Sequence, residues 1–173
     1  MRVGELAKVA FDAGVEVFSF WWGSPANLEK RPASEEIVPA LQDWLDRELP
    51  GLCAATGARF DAFGRWPELC PGLRAPTIPG GPRHLVLLMA YDGREEIVAA
   101  NGRLPDGLWT AGLPPVDLVV RTGGESHLSA GFMLWHIAEA QLAFLPEYWP
   151  DLEPERLRRL LVERGRVRRR YGA

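Results

Sequence analysis

Asp117–Leu152 reads DLVVRTGGESHLSAGFMLWHIAEAQLAFLPEYWPDL, and the reading of this stretch decides the fold. A short apolar run (Val116, Leu118, Val119, Val120) stops at Arg121-Thr122-Gly123-Gly124, and an apolar pattern at helical spacing opens just after Ser129. The pattern predicts a strand, a glycine turn and a helix start. Adjacent glycines let a backbone approach a ligand, a helix N-terminus offers unpaired N–H groups, and Arg121, His127 and Ser129 add side-chain donors. Such a loop suits an anion, with a phosphate or diphosphate the natural choice. An ordinary strand-to-helix connection, with Ser129 as N-cap and Arg121 as a solvated charge, explains the same residues equally well.

Outward from this stretch, the chain alternates strand and helix signals. Leu6, Val9, Ala10 and Ala13 recur at helical spacing, Gly14 is placed to end that helix, and Val15 to Trp22 reads as a buried strand. A polar loop, Gly23 to Pro32, follows at the same sheet edge as the anion loop. Ser34, Glu35 and Glu36 open a helix that carries Ile37, Val38, Leu41, Trp44, Leu45 and Leu49 and ends at Pro50-Gly51. Ala58 to Phe63 is a weaker strand, and Pro67 to Pro82 reads as a long loop or a short helix with loops around it. His84 to Tyr91, HLVLLMAY, is a continuous apolar run of the kind found in strands buried on both faces of a parallel sheet. Glu95 to Asn101 reads as a helix, Leu104 to Leu113 as a short helical connector, and Arg156 to Val167 as a final basic helix started by Glu153-Pro154. The fold class is therefore α/β, a mostly parallel sheet flanked by helices, in a single domain over residues 1–173. The chain opens directly on a helix that feeds a strand, so an earlier βα segment is expected to be missing.

Composition narrows the function. The 173 residues are 47% hydrophobic and 25% charged with a net charge of -3, which argues against disorder and against a nucleic-acid partner. Arginines crowd the C-terminus, as a solvated tail or as a contact for an anionic ligand or partner. Cys53 and Cys70 have no metal-ligand spacing and no CxxC partner, so they are expected to be free thiols in a cytoplasmic protein. His84, His127 and His136 are too scattered for zinc, and a metal here would better be magnesium bound with phosphate oxygens. No apolar run reaches the length of a membrane span, although a greasy substrate and peripheral membrane contact stay open.

Several short motifs occur in a fixed order: Ser24, Asn27 and Arg31-Pro32; Tyr91-Asp92-Gly93-Arg94-Glu95-Glu96-Ile97; Asp117-Leu118 through Arg121-Thr122-Gly123-Gly124-Glu125 to Ser129; Leu134-Trp135; Trp149-Pro150-Asp151; and Arg170-Tyr171-Gly172. In this order the chain resembles the cis-prenyltransferase family, the undecaprenyl diphosphate synthase-like isoprenyl transferases, from Met1 to Gly172. The resemblance implies that isopentenyl diphosphate condenses with an allylic prenyl diphosphate to give a cis-prenyl diphosphate, with magnesium assisting. It implies that Arg121 and Ser129 hold the diphosphate of isopentenyl diphosphate, with His127 standing where the family has an arginine. Asn27 and Ser24 match catalytic positions near the reacting centre, and Arg31, Arg170 and Gly172 match substrate-binding positions. No residue of this chain is assigned to the metal, because the family's N-terminal Met-Asp-Gly-Asn-Gly-Arg-Trp-Ala stretch is absent. The position of a metal-associated glutamate, expected on the helix after Ser129, is Gln141. The resemblance further implies a homodimer, or a heterodimer with a homologue, through the Phe132 to Phe144 region. Two other roles share these motifs: a non-catalytic member supporting an active partner subunit, and a divergent enzyme that couples or cyclises prenyl diphosphates.

Overall fold

The computed structural model describes residues 2–30 and 34–165. Of the residues singled out above, Arg31, Pro32, Arg170, Tyr171 and Gly172, with the last two positions of the expected Arg156 to Val167 helix, lie outside the described residues. Seven helices and five strands follow in the order α1 (Arg2–Asp12), β1 (Val17–Trp21), α2 (Pro25–Lys30), α3 (Ser34–Arg47), α4 (Leu49–Thr56), β2 (Arg59–Phe63), α5 (Trp66–Leu69), β3 (His84–Leu88), α6 (Gly93–Ala100), β4 (Leu118–Arg121), β5 (Gln141–Phe144) and α7 (Pro154–Gly165), with a 3-10 turn at Trp149–Asp151 before α7.

The apolar run that reads as a doubly buried strand is β3, and all five of its residues are buried. It is the centre of a parallel three-stranded sheet, β1-β3-β2, with Val17 and Arg59 both level with His84. Alternation sends its side chains to two layers. Leu85 and Leu87 join Phe11, Trp44, Leu45, Leu49 and Phe60 on the face covered by α1, α3 and α4, where Phe20 meets Trp44 edge to face at 5.7 Å. Val86 and Leu88 point the other way, into a layer with Tyr91, Val119, Met133 and Ile137.

The strands do not form one continuous sheet. β4 and β5 pair in parallel as a separate two-stranded sheet, Leu118 level with Gln141. β1 and β4 are not hydrogen-bonded to each other, yet they share layers on both sides. Val17 and Trp21 pack with the layer that holds Val119, while Phe18, Leu118 and Val120 pack with a third cluster built from Leu6, Ala143, Leu145, Leu152, Leu157 and Leu160. An open slot separates the two edges, and most residues of both strands are only half-buried.

Four sequence expectations are corrected. The loop after β1 contains a helix, α2, because Ser24 receives the Asn27 N–H on its Oγ at 3.2 Å and caps a turn that Pro25 can start. Pro50-Gly51 does not stop α3; Pro50 sits in the first turn of α4, where its missing N–H costs nothing. Leu104 to Leu113 is a run of turns rather than a helical connector. The largest departure is after Ser129. No helix forms there: Ala130, Gly131 and Met133 take φ of 49°, 54° and 43°, the left-handed region, which breaks the i to i−4 ladder. The residues from Ala130 to Glu139 are turns, and Gln141 is the first residue of β5 rather than a helix position.

Candidate functional site

Strand polarity gathers the candidate residues. Within each sheet the strands run parallel, and the turns that follow β1 and β4 line one cavity. The slot between these strands is part of one cleft of about 1420 Å³, whose lining includes Ser24, Asn27, Arg121, Gly123, Glu125 and Ser129. Ser24, Asn27, Arg121 and Ser129, chosen from sequence, thus share one cavity. His127 is not among the lining residues: it is 59% exposed and pairs through Nδ1 with Glu125 at 3.2 Å.

Arg121 ends β4, and its side chain is mostly covered. Its Nη1 donates to Ser129 Oγ at 2.5 Å, its Nε donates to the Glu125 carbonyl at 3.2 Å, and its Nη2 lies 3.5 Å from the Glu125 carboxylate. Glu125 therefore bridges Arg121 and His127 and offsets part of the Arg121 charge. Any anion entering the cleft would compete with that carboxylate for Arg121.

The glycines act differently from the sequence expectation. Gly123 and Gly124 take φ of 98° and 78°, so only glycine is relaxed at either position. Their N–H groups, however, donate to the carbonyls of Glu147 and Leu145 at 2.8 and 3.0 Å and tie the loop to the chain leaving β5. With those amides engaged and no helix N-terminus behind them, recognition of an anion falls to side chains, Arg121 and Ser129 first.

Opposite them, Ser24 is buried and its hydroxyl is engaged with the Asn27 amide. Asn27, half-buried on the first turn of α2, also lines the cleft. Along the two strands the lining is mostly apolar (Val17, Phe18, Leu118, Val120), with Ser19, Asp117 and Gln141 among its polar members. Gln141 Oε1 is buried and has no hydrogen-bond partner. Sequence reasoning missed two contributors to the wall. Trp21 donates its indole N–H to the Tyr91 carbonyl at 3.1 Å, and Tyr148 packs beside Gly123. Tryptophan at a strand end was a local signal, whereas Tyr148 comes from a distant turn with none.

The donor set does not by itself fit magnesium. Among the described residues no three His, Cys, Asp or Glu side chains stand close enough to share a cation. Glu125 is engaged by Arg121 and His127, and Gln141 offers a neutral amide oxygen where a carboxylate would bind Mg²⁺ far better.

Fold and cleft thus define an α/β protein with a mostly covered arginine and a largely apolar lining in one cleft between its two sheets. The sequence matches, over residues 1–172, the family described as "Putative undecaprenyl diphosphate synthase". It is 31% identical to an isoprenyl transferase of Zymomonas mobilis over 193 residues, covering 95% of this chain and 77% of that protein. It is 28% identical to a (2Z,6E)-farnesyl diphosphate synthase of Mycolicibacterium smegmatis, covering 99% of this chain and 76% of the relative. The fold is also that of lavandulyl diphosphate synthase from Lavandula x intermedia, solved in complex with dimethylallyl diphosphate. That similarity has a TM-score of 0.87 at 23% identity and covers 99% of this chain and 85% of that one. The chain belongs to the cis-prenyltransferase family of undecaprenyl diphosphate synthase-like isoprenyl transferases.

Proposed function

We propose that this chain is an isoprenyl transferase that joins isopentenyl diphosphate to an allylic prenyl diphosphate. The observation that carries the reading is the convergence of Ser24, Asn27, Arg121 and Ser129 on one cleft with an apolar floor. In the reaction, the allylic C–O bond breaks and diphosphate leaves with its electron pair. The double bond of isopentenyl diphosphate attacks the cation, and loss of a proton leaves a new cis double bond. Arg121 and Ser129 hold the isopentenyl diphosphate head, replacing their contacts to each other and to Glu125 with contacts to phosphate oxygens. His127 swings in from the rim as a further donor. Ser24 and Asn27 stand at the reacting centre, with Ser24 fixing the turn that presents Asn27. Arg31, Arg170 and Gly172 complete substrate binding in this reading. The hydrocarbon occupies the apolar part of the cleft, where burial of each methylene is worth about 0.8 kcal/mol.

The reading includes one more parallel strand in the slot, preceding α1 in the complete protein, which would merge the two sheets. Three features support it: the unpaired facing edges of β1 and β4, the orphaned Gln141 oxygen beside them, and the 77% of the Zymomonas relative that the chain spans. Magnesium dependence is proposed for that complete protein, with a carboxylate from the added segment. In-frame sequence upstream of Met1 is expected to encode an apolar strand ending in an Asp-Gly-Asn-Gly-Arg-Trp-like turn; a stop codon there removes this part of the reading. A dimer, with a second copy or a homologue, is proposed through the face bearing Leu134, Trp135 and Leu142, each at least 40% exposed. Sedimentation as a monomer would contradict it. The protein is proposed to act in the cytoplasm.

The direct test is calorimetric titration with inorganic diphosphate and with isopentenyl diphosphate, beside turnover of labelled isopentenyl diphosphate with an allylic primer. Binding by the chain is expected. Arg121→Ala should weaken it by about 2–3 kcal/mol, roughly 30- to 150-fold. Equal binding by the variant would remove Arg121 from the site. Binding without turnover, with turnover appearing once a complete homologue is added, would assign the chain to the supporting role instead.

A further inference from the structure

The segment from Ala130 to Ala140 carries Ser129 at its start and Gln141 at its end, yet belongs to no helix or sheet. Two of its non-glycine residues, Ala130 and Met133, hold left-handed backbone conformations, which persist only where surroundings over-determine them. What determines them is a set of anchors to the first turn of α6 and to the chain beyond it. Gly93 N–H donates to the Ala130 carbonyl at 3.0 Å, in an approach so close that a Cβ on Gly93 would meet the Gly131 carbonyl. Val116 N–H donates to the His136 carbonyl at 2.9 Å. Thr110 Oγ1 lies 2.9 Å from His136 Nε2 and 2.7 Å from Glu96 Oε1, and Thr110 N–H donates to the same oxygen at 2.8 Å. Tyr91 Oη donates to the other Glu96 oxygen. Glu96 and Thr110 are fully buried and His136 nearly so.

Three donor groups face Glu96. Thr110 has one hydroxyl proton, to be given either to Glu96 or to an unprotonated His136 Nε2; the tautomer of His136, whose ring also bonds the Pro114 carbonyl, sets which, and in both cases Thr110 links the ring to the carboxylate. A carboxylate on α6 thereby fixes the ring, and with it the backbone, of a residue midway along the irregular segment. Buried networks of this kind are strong when complete and costly when one member is lost.

We propose that Glu96, acting through Thr110 and His136, is the positioning residue for the segment between Ser129 and Gln141, and so sets the geometry in which Arg121 and Ser129 meet a diphosphate. The last clause rests on the functional reading above; the clamp itself does not.

The test compares the intact protein with Thr110→Val, which keeps shape and the backbone N–H, and with Glu96→Gln as a second variant. Asp61→Ala is the control, because it breaks a different half-buried pair, with His84 at 2.9 Å, away from this segment. Two quantities are read: amide hydrogen exchange of Leu134, His136 and Ile137, and affinity for inorganic diphosphate by calorimetry. Both clamp variants are expected to exchange at least tenfold faster there, with no comparable change in β3, and to bind diphosphate about tenfold more weakly. Asp61→Ala should change neither. Wild-type exchange and affinity in both clamp variants, or acceleration spread evenly over the protein, would overturn the proposal. Should the unaltered protein bind no diphosphate, the functional reading fails, and exchange confined to the segment still decides whether the clamp exists.

Discussion

The two sheets reach stability by different routes. In β1-β3-β2 the central strand is buried on every residue, and its neighbours are joined to it by regular parallel ladders and covered by α1, α3 and α4. In β4-β5 the connection between the strands is a string of turns, and one edge opens on the slot. Both sheets pack on apolar clusters, but the second leaves an edge on the slot, and the segment joining its strands is held by a few placed polar contacts. The candidate diphosphate residues sit on the second. The proposed exchange of an internal carboxylate for a substrate anion would be better served by a frame that polar contacts can retune than by a close-packed core.

Substitutions sharpen this contrast. Leu87→Ala in β3 should lower unfolding free energy by about 3 kcal/mol, whereas Val119→Ala in β4, beside the slot, should cost about 1 kcal/mol, because its surroundings can relax into open space. Equal costs in urea unfolding would show that the two sheets are packed alike. Ser129→Ala should weaken inorganic diphosphate binding by about 1 kcal/mol, roughly fivefold, without moving the urea midpoint. A large shift in midpoint would instead make the Arg121–Ser129 bond structural.

Acidification probes both halves at once. Burial holds His84 below the usual imidazole range, with Arg59 adding to that effect and Asp61 opposing it. Burial also lowers His136, against the charge of Glu96 and the Pro114 carbonyl. Both rings are disfavoured as cations in the folded protein, so the unfolded chain binds protons first. Their contribution is complete above about pH 6.5 and is lost as pH falls toward the folded values. The urea midpoint should therefore decline from pH 7 to pH 5, and His84→Gln should flatten part of that decline. The smallest effect is expected at the rim: His127→Arg, which restores a permanent donor, should tighten diphosphate binding by about 0.5 kcal/mol, roughly twofold, and no gain would leave His127 outside the site.

The contrast also explains what could be read in advance. HLVLLMAY reads directly as a doubly buried strand because its apolar run is local and continuous. The start of α6 lies at Gly93, two residues before the expected Glu95; Asp92, whose side chain accepts from the amides of Arg94 and Glu95, was the local signal for it. The segment after Ser129 misleads because its apolar spacing suits a helix, while the contacts that override it come from Gly93 and Thr110, far away in sequence. The Arg121–Ser129 pair was legible from motif order. The engagement of the Gly123 and Gly124 amides was not, since their acceptors lie beyond β5.

Trp21 lends the slot a property of a different kind. Its indole lines the slot and is held by a single hydrogen bond to the Tyr91 carbonyl. Emission from an indole shifts to shorter wavelength as water is removed around it, so the difference spectrum between the protein and Trp21→Phe is a built-in optical gauge. It would register whatever fills the space between β1 and β4, whether a strand or a hydrocarbon chain, without any label being attached.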